Sequence, residues 1–390
     1  MTESNPPPFP EPSATCQLSG NDPAGRPILV VLAKRRYRFT SGGLQALPEE
    51  AELIEEPQFS EDDLLMERDA DLFPYKPFTD VVVRGHVHAH GASVRRLEAG
   101  LSIAGHGTRV AVFGDRRAEL SSNGTVTFTE PELFESLPLT WRRAFGGRDE
   151  DAERKHGYPW PGIFEDFLPP GSADPVHSSP FCYPRNPAGA GYLFEPETLT
   201  GKALTLPNFE DPSDLLTPSR LPVHTPEDWP RLPTPAGFGW VSYDWFPRTS
   251  FLGVLPSFAE GSSFREVDRG HLTQEALDPF ARSAEKAFRL TSGAAPALQL
   301  PWLRGGEPVE LQHLSPQAPA LNLRLPKAPK LKADGRNGKL VTAGPAVLHT
   351  LELEPDEGLL TVTWRGAARA LRAYLPKELA DMPFEVRWQD

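Results

Sequence analysis

Three histidines at alternate positions, His86, His88 and His90, are the side chains in this sequence best spaced for chemistry. On an extended strand side chains alternate between faces, so all three imidazoles project to one side. Imidazole is the commonest ligand for zinc-like metals, and a metal-dependent hydrolase is one function such a row could serve. A strand-borne site of this kind also wants a carboxylate a few residues on. Val94 and Arg95 stand there, and the first glutamate is Glu98. The three histidines are therefore weak metal candidates, and a polar face on a half-exposed strand is the simpler account. Other templates fail outright. Gly201-Lys202 and Gly338-Lys339 are followed by Ala203 and Leu340, not by the Ser or Thr of a phosphate-binding loop. Gly100-Leu101-Ser102-Ile103-Ala104 misses the second glycine of a nucleophile elbow, and Gly189-Ala190-Gly191 lacks the third glycine of a dinucleotide turn. No catalytic residue is assigned, and no cofactor is expected.

What stands out instead is a set of rigid motifs poor in titrating groups. PLTWRRAFGG, from Pro138 to Gly147, places Trp141 beside Arg142 and Arg143 and ends in Phe145, Gly146 and Gly147. The glycine pair permits positive φ or a close backbone approach. YPRNPAGAGY, from Tyr183 to Tyr192, carries Arg185 and an Asn-Pro turn at Asn186. LPNFEDP, from Leu206 to Pro212, holds Asn208, Glu210 and Asp211, and PAGFGW leads on to Trp245 and Arg248. Pairing of Arg142, Arg143, Arg185 and Arg248 with Glu210 and Asp211 would lock these loops together. The lock could also form a partner-binding surface.

These motifs need a scaffold, and composition restricts its type. Proline is 44 of 390 residues. It has no backbone N–H and breaks helix interiors, so an all-helical bundle is disfavoured. With 22 Phe and 8 Trp the chain can bury a sizeable core. The net charge of −13 disfavours nucleic acid or an anionic membrane as a general partner. The charge is uneven: residues 49–71 hold eleven acids and one base, and residues 324–339 hold six bases and one acid. Each run reads as a solvated loop or, more sharply, as a docking patch. Two cysteines, Cys16 and Cys182, suit a reducing, cytoplasmic setting. The first 25 residues show no secretory signal, and no apolar run is long enough for membrane insertion.

The expected fold is mainly β: antiparallel, sandwich-like sheets with long loops rich in Pro, Gly and aromatics. Residues 1–25 form a disordered Pro-rich tail. An N-terminal antiparallel β unit follows over 26–130, with strands in Ile28 to Phe39, Asp80 to His90, Arg109 to Asp115 and Thr125 to Thr129. A wrapped, Pro- and aromatic-rich middle spans 131–270. One clear helix near 272–288 precedes a C-terminal β unit over 271–390, with a hairpin turn at Asp356-Glu357-Gly358 and a last strand at Phe384 to Trp388.

With these motifs in place, the chain resembles the bacterial domain-of-unknown-function family 2169, found with type VI secretion systems. The resemblance spans about residues 26–370. It rests on DLFPYKPFTDVVVRGHVHA (Asp71 to Ala89), VFGDR (Val112 to Arg116), the three motifs above in the same order, PAGFG followed by WFPR, GGEPVEL (Gly305 to Leu311) and TVTWR (Thr361 to Arg365). Trp141 stands where Tyr is usual, and residues 254–285 depart from the family's Pro/Asp-rich pattern. The resemblance implies a non-enzymatic adaptor or chaperone that loads a toxic effector onto a VgrG or PAAR spike protein. It carries over no catalytic residues. A structural part of the injection machine is the remaining alternative.

Overall fold

A strand covered on both faces must be apolar at every position, and Ile28-Leu29-Val30-Val31-Leu32-Ala33 meets that condition. Leu29, Val31 and Ala33 point into the main core, while Ile28, Val30 and Leu32 pack on the opposite face with Cys16, Leu18 and Leu53. The computed structural model describes residues 14–48, 51–156, 181–222, 231–246, 248, 288–336 and 338–389. Within them the strand Pro27–Thr40 belongs to a seven-stranded sheet. The order runs Thr15–Asn21, Pro27–Thr40, Leu359–Arg369, Val347–Glu354, Thr79–Val83 and Gln299–Leu300, with Gly43–Ala46 also paired to Pro27–Thr40. All its pairings are antiparallel except that of Thr79–Val83 with Val347–Glu354, which is parallel.

A second sheet is wholly antiparallel, in the order Phe209–Glu210, His106–Phe113, Arg96–Ile103, Pro308–Gln312, Ala320–Arg324. Ala99, Leu101, Ile103, Val110, Val112, Val309 and Leu311 from this sheet share one core with Val81, Val83, Leu351, Leu353, Leu360 and Val362 from the first. The fold is thus the mainly β arrangement expected, with two sheets facing a common core. A smaller core gathers Phe145, Tyr183, Tyr192, Leu193, Leu206 and Leu216 under short, irregular elements. There aromatic packing takes the place of long ladders: Phe145 meets Tyr183 edge-on at 5.2 Å, and Tyr183 stacks on Tyr192 at 5.8 Å.

The hairpin at Asp356-Glu357-Gly358 forms as expected, joining Val347–Glu354 to Leu359–Arg369. The last strand is Glu385–Arg387, paired with Lys330–Arg336. Two expectations are corrected. The tail does not run to residue 25: Thr15–Asn21 is a strand paired over its whole length with Pro27–Ala33, and Cys16 lies buried in it. Burial pushes both thiols up to about 12, that of Cys16 and that of Cys182, so neither is a ready nucleophile at neutral pH. Nor do the N- and C-terminal β units form separate sheets, since Ile28–Arg38 pairs residue by residue with Leu359–Arg369. The helix expected near 272–288 lies outside the described residues except at its last position.

The acidic run 49–71 is not simply a wet loop. Asp71, 2% exposed, accepts from Lys34 Nζ at 2.7 Å, from the Ile54 N–H at 2.8 Å and from Thr363 Oγ1 at 3.1 Å. Asp80 accepts from Lys76 Nζ at 2.8 Å and from the Gly293 N–H at 3.0 Å, with both side chains of the pair at 1% exposure or less. These pairs strap the segment that leads into Thr79–Val83 onto the sheet. Each buried ion of these pairs is compensated only while its partner stays.

Candidate functional site

The motif from Pro138 to Gly147 opens with a short 3-10 turn, Trp141–Arg143, whose N-terminus is capped by Thr140 Oγ1, accepting from the Arg142 N–H. Trp141 is buried; its Nε1 donates to the Trp240 carbonyl at 2.7 Å and its ring meets Trp245 edge-on at 6.2 Å. The next residues enter a parallel bridge in which Phe145 and Gly146 pair with Ala190 and Gly191. This joins PLTWRRAFGG directly to YPRNPAGAGY. Asn186, fully buried, fastens the joint: Nδ2 donates to the Trp141 carbonyl at 2.8 Å and to the Phe145 carbonyl at 3.1 Å. The Gly147 N–H donates to the Asn186 carbonyl at 2.8 Å, and the Tyr183 N–H to the Gly147 carbonyl at 2.9 Å. Gly146 and Gly147 take φ of 148° and 101°, and a Cβ at either would strike the carbonyl oxygen of Asn186 or Gly189.

LPNFEDP is tied to the same unit. The Asn208 N–H donates to the Arg143 carbonyl at 2.8 Å, and Arg143 Nη1 donates to Asn208 Oδ1 at 2.8 Å. Asn208 Nδ2 donates to the Phe113 carbonyl at 3.0 Å and to Asp115 Oδ1 at 2.9 Å. The Asn208 amide, and after it Arg143, hold the Asp115 carboxyl below its usual range. VFGDR therefore joins through Asp115, and again through Arg116, which pairs with Glu210 and lies 4.0 Å above the Phe113 ring. The Leu216 N–H donates to the other Glu210 oxygen at 2.7 Å. Burial raises the Glu210 carboxyl and lowers the Arg116 guanidinium from their ordinary values, and their mutual attraction opposes both shifts.

Residues 24–365 match a family model described as an uncharacterized protein conserved in bacteria, DUF2169. The chain belongs to this family. No curated protein and no solved structure matches it.

In this DUF2169 chain the loops are locked together, but the arginines do not take the partners expected. Glu210 pairs with Arg116 rather than with Arg142, Arg143, Arg185 or Arg248. Asp211 turns back on its own loop and accepts from the N–H and Oγ of Ser213 at 2.8 and 2.6 Å. Arg142 reaches out to Asp62, and Arg185 Nη1 donates to Thr234 Oγ1 at 3.3 Å. Arg248, 2% exposed, sits apart from the others. It pairs with Asp69 at 2.6 Å, donates to the Val241 and Leu290 carbonyls at 2.8 and 2.9 Å, and lies 3.8 Å over the Tyr243 ring. Tyr243 in turn donates to Asp69 Oδ1 at 2.6 Å, and its hydroxyl is pushed well above its ordinary value, first by burial and then by Asp69.

Sequence reasoning missed Asp69, Asp71, Lys76, Asp80, Asp115 and Arg116 as members of this framework. Most of them were visible within DLFPYKPFTD and VFGDR, where a charge next to an apolar strand start is a sign of pairing. The single strand expected over Asp80 to His90 is instead two, Thr79–Val83 in the seven-stranded sheet and His86–His88 paired with Ser136–Pro138; His90 lies beyond the second, and the rings of His86 and His88 share one acceptor. His86 Nδ1 lies 2.7 Å from Asp356 Oδ2, and His88 Nε2 lies 2.8 Å from Asp356 Oδ1. His90 stands 6.3 Å from His88 and 5.8 Å from His313, centroid to centroid. Asp356, read from sequence only as a turn residue, is thus the partner that the row lacked. Its carboxylate bridges the two rings, one on each oxygen, rather than converging with them on a point. Among the described residues no group of three or more His, Cys, Asp or Glu is placed to hold a metal ion. Elemental analysis of protein purified without a histidine tag is expected to find far less than one equivalent of zinc, iron or manganese. A full equivalent, lost on replacing His86 and His88 by Ala, would restore the metal reading.

Proposed function

We propose that this protein is a non-enzymatic adaptor that binds a secreted effector in the cytoplasm and helps load it onto the VgrG or PAAR spike of a type VI secretion system. The observation that carries this reading is where the shared motifs go. Those from Pro138, Tyr183 and Leu206 spend their polar groups on one another: Asn186 on two carbonyls, Asn208 on Phe113, Arg143 and Asp115, and Glu210 on Arg116. Such residues shape a rigid surface and offer no nucleophile or acid–base pair to a substrate. The secretion system and the kind of cargo in this proposal are what the family resemblance implies. Among the described residues no helix is long and apolar enough to cross a membrane.

The test is paired. Cargo encoded nearby is expected to co-purify with the adaptor, and deletion of the adaptor gene is expected to remove that cargo from the culture supernatant while tube-protein secretion continues. If tube secretion stops as well, the protein is a machine part. If cargo leaves normally and never co-purifies, the adaptor reading is wrong.

A further inference from the structure

Each of the two sheets has an edge strand that borders one groove. Among the described residues Gly43–Ala46 pairs only with Pro27–Thr40, and Ala320–Arg324 is the last strand of the five-stranded sheet. Between them runs an open groove of about 1160 Å³, lined on its apolar side by Leu44, Ala46 and Leu323. That volume exceeds the roughly 300–1,000 Å³ of small-molecule pockets.

The phase of the ladder shows which backbone groups face the groove. Antiparallel pairs alternate between bonded and non-bonded positions. The flanking bonds fix the bonded set: the Leu325 N–H donates to the Glu307 carbonyl at 3.0 Å, and the His313 N–H to the Pro319 carbonyl at 2.8 Å. Counting inward by twos, Leu321 and Leu323 bond to Leu311 and Val309, and Ala320, Asn322 and Arg324 turn their N–H and C=O groups outward. GGEPVEL, a motif that the loop lock does not use, forms the wall behind this edge through Pro308, Val309 and Glu310.

Charge selects what could lie there. Among the described residues the groove is lined by Arg35, Arg324 and Lys327 against one acid, Glu310, in a protein whose net charge is −13. Arg324 and Lys327 begin the basic run of 324–339, and Lys330 is exposed just beyond. Edge strands attract further strands by their unpaired backbone, and strand addition takes affinity from main-chain bonds and specificity from alternate side chains.

We propose that this groove docks an extended, acidic segment of a protein partner, which adds as a strand along Ala320–Arg324 and sets its carboxylates against Arg324 and Lys327. The inference rests on reading the protein as a binder of other proteins, but not on which machinery it serves. Every second residue of the bound segment faces the groove's apolar side, so the preferred sequence alternates acidic with apolar residues and contains no central proline.

The experiment selects peptides from a random twelve-residue display library on the full chain and measures their affinities by fluorescence anisotropy. Selected peptides are expected to alternate acidic and apolar residues. The charge reversal R324E/K327E is expected to weaken them at least tenfold, and raising the salt concentration to weaken them as well. Asn322→Pro removes one outward N–H and leaves the inward ladder bonds in place; it is expected to weaken binding by a similar factor with little change in melting temperature. If Asn322→Pro does not fold, R324E/K327E, which alters only exposed side chains, decides the matter. Selected peptides that are basic, or whose affinity ignores the charge reversal, overturn the proposal. The secretion assay is scored separately: normal cargo export by R324E/K327E, with export lost on gene deletion, discards the groove while leaving the adaptor reading intact.

Discussion

Lys76→Met is expected to destabilise the protein by about 3–5 kcal/mol, the cost of leaving a buried charge without its partner. The Asp80 carboxylate that would remain is fully buried, and its Oδ2 has only the Gly293 N–H beside the lysine. Its Oδ1 already has no hydrogen-bond partner among the described residues. The double change Lys76→Met with Asp80→Asn removes both charges and keeps an oxygen for Gly293. It is expected to regain most of the loss, because a neutral amide carries a far smaller desolvation penalty than a carboxylate. Urea unfolding of the single and double variants measures both. A single variant as stable as the parent, or a double variant no better than the single, would show that this pair does not hold the strand Thr79–Val83 in the sheet.

The second large effect is expected at the glycine pair. Gly146→Ala and Gly147→Ala should each cost about 1–3 kcal/mol from the backbone conformation alone, and the overlap of the new Cβ with backbone oxygen adds to that. At Gly147 the Cβ position lies 2.5 Å from the Gly189 carbonyl oxygen, and at Gly146 it collides with that of Asn186. Backbone cannot swing aside as a flexible side chain can. Gly124 is the control: its φ is 80°, but beyond its chain neighbours no described residue has an atom within 4 Å of its Cβ position. Gly124→Ala should therefore show the conformational cost without the collision. Equal losses of stability at all three positions would mean that the close approach between the Pro138 and Tyr183 motifs is absent.

Strands whose presence was set by their own composition could be read from the sequence. Ile28 to Ala33 is apolar without a break because both faces are covered, and Val81 to Val83 is β-branched for the same reason. The turn at Asp356-Glu357-Gly358 was legible because Gly358 supplies the positive φ such a turn requires. Thr15–Asn21 was not legible: its TCQLSGN alternates weakly and stands beside a Pro-rich stretch, and pairing with Pro27–Ala33 outweighs that local preference. The loop lock was legible as a set of motifs, since Gly146-Gly147 and Asn186-Pro187 advertise special backbone. Its pairing was not. An arginine's partner depends on which loops meet, and sequence spacing could not show that Glu210 faces Arg116 while Arg248 faces Asp69. The role of Asp356 was hidden in the same way, because its histidine partners lie 270 and 268 positions away.

The pairing of Pro27–Thr40 with Leu359–Arg369 also bears on how the chain is made. Between the end of the first strand and the start of the second lie more than 300 residues, and a ribosome adding about 5–20 residues per second needs roughly 15–65 s to traverse them. During that time one side of Ile28 to Ala33 has no strand to meet. Thr79–Val83 waits likewise for Val347–Glu354, its parallel neighbour. The nascent polypeptide therefore completes its seven-stranded sheet only after Leu359–Arg369 has been made. Contacts so distant along the chain make for slow assembly, and during elongation the early apolar strands depend on the hairpin Thr15–Ala33 for whatever cover they have. A chain cut short of Leu359 lacks the strand that joins Pro27–Thr40 to Val347–Glu354, and with it the middle of the seven-stranded sheet.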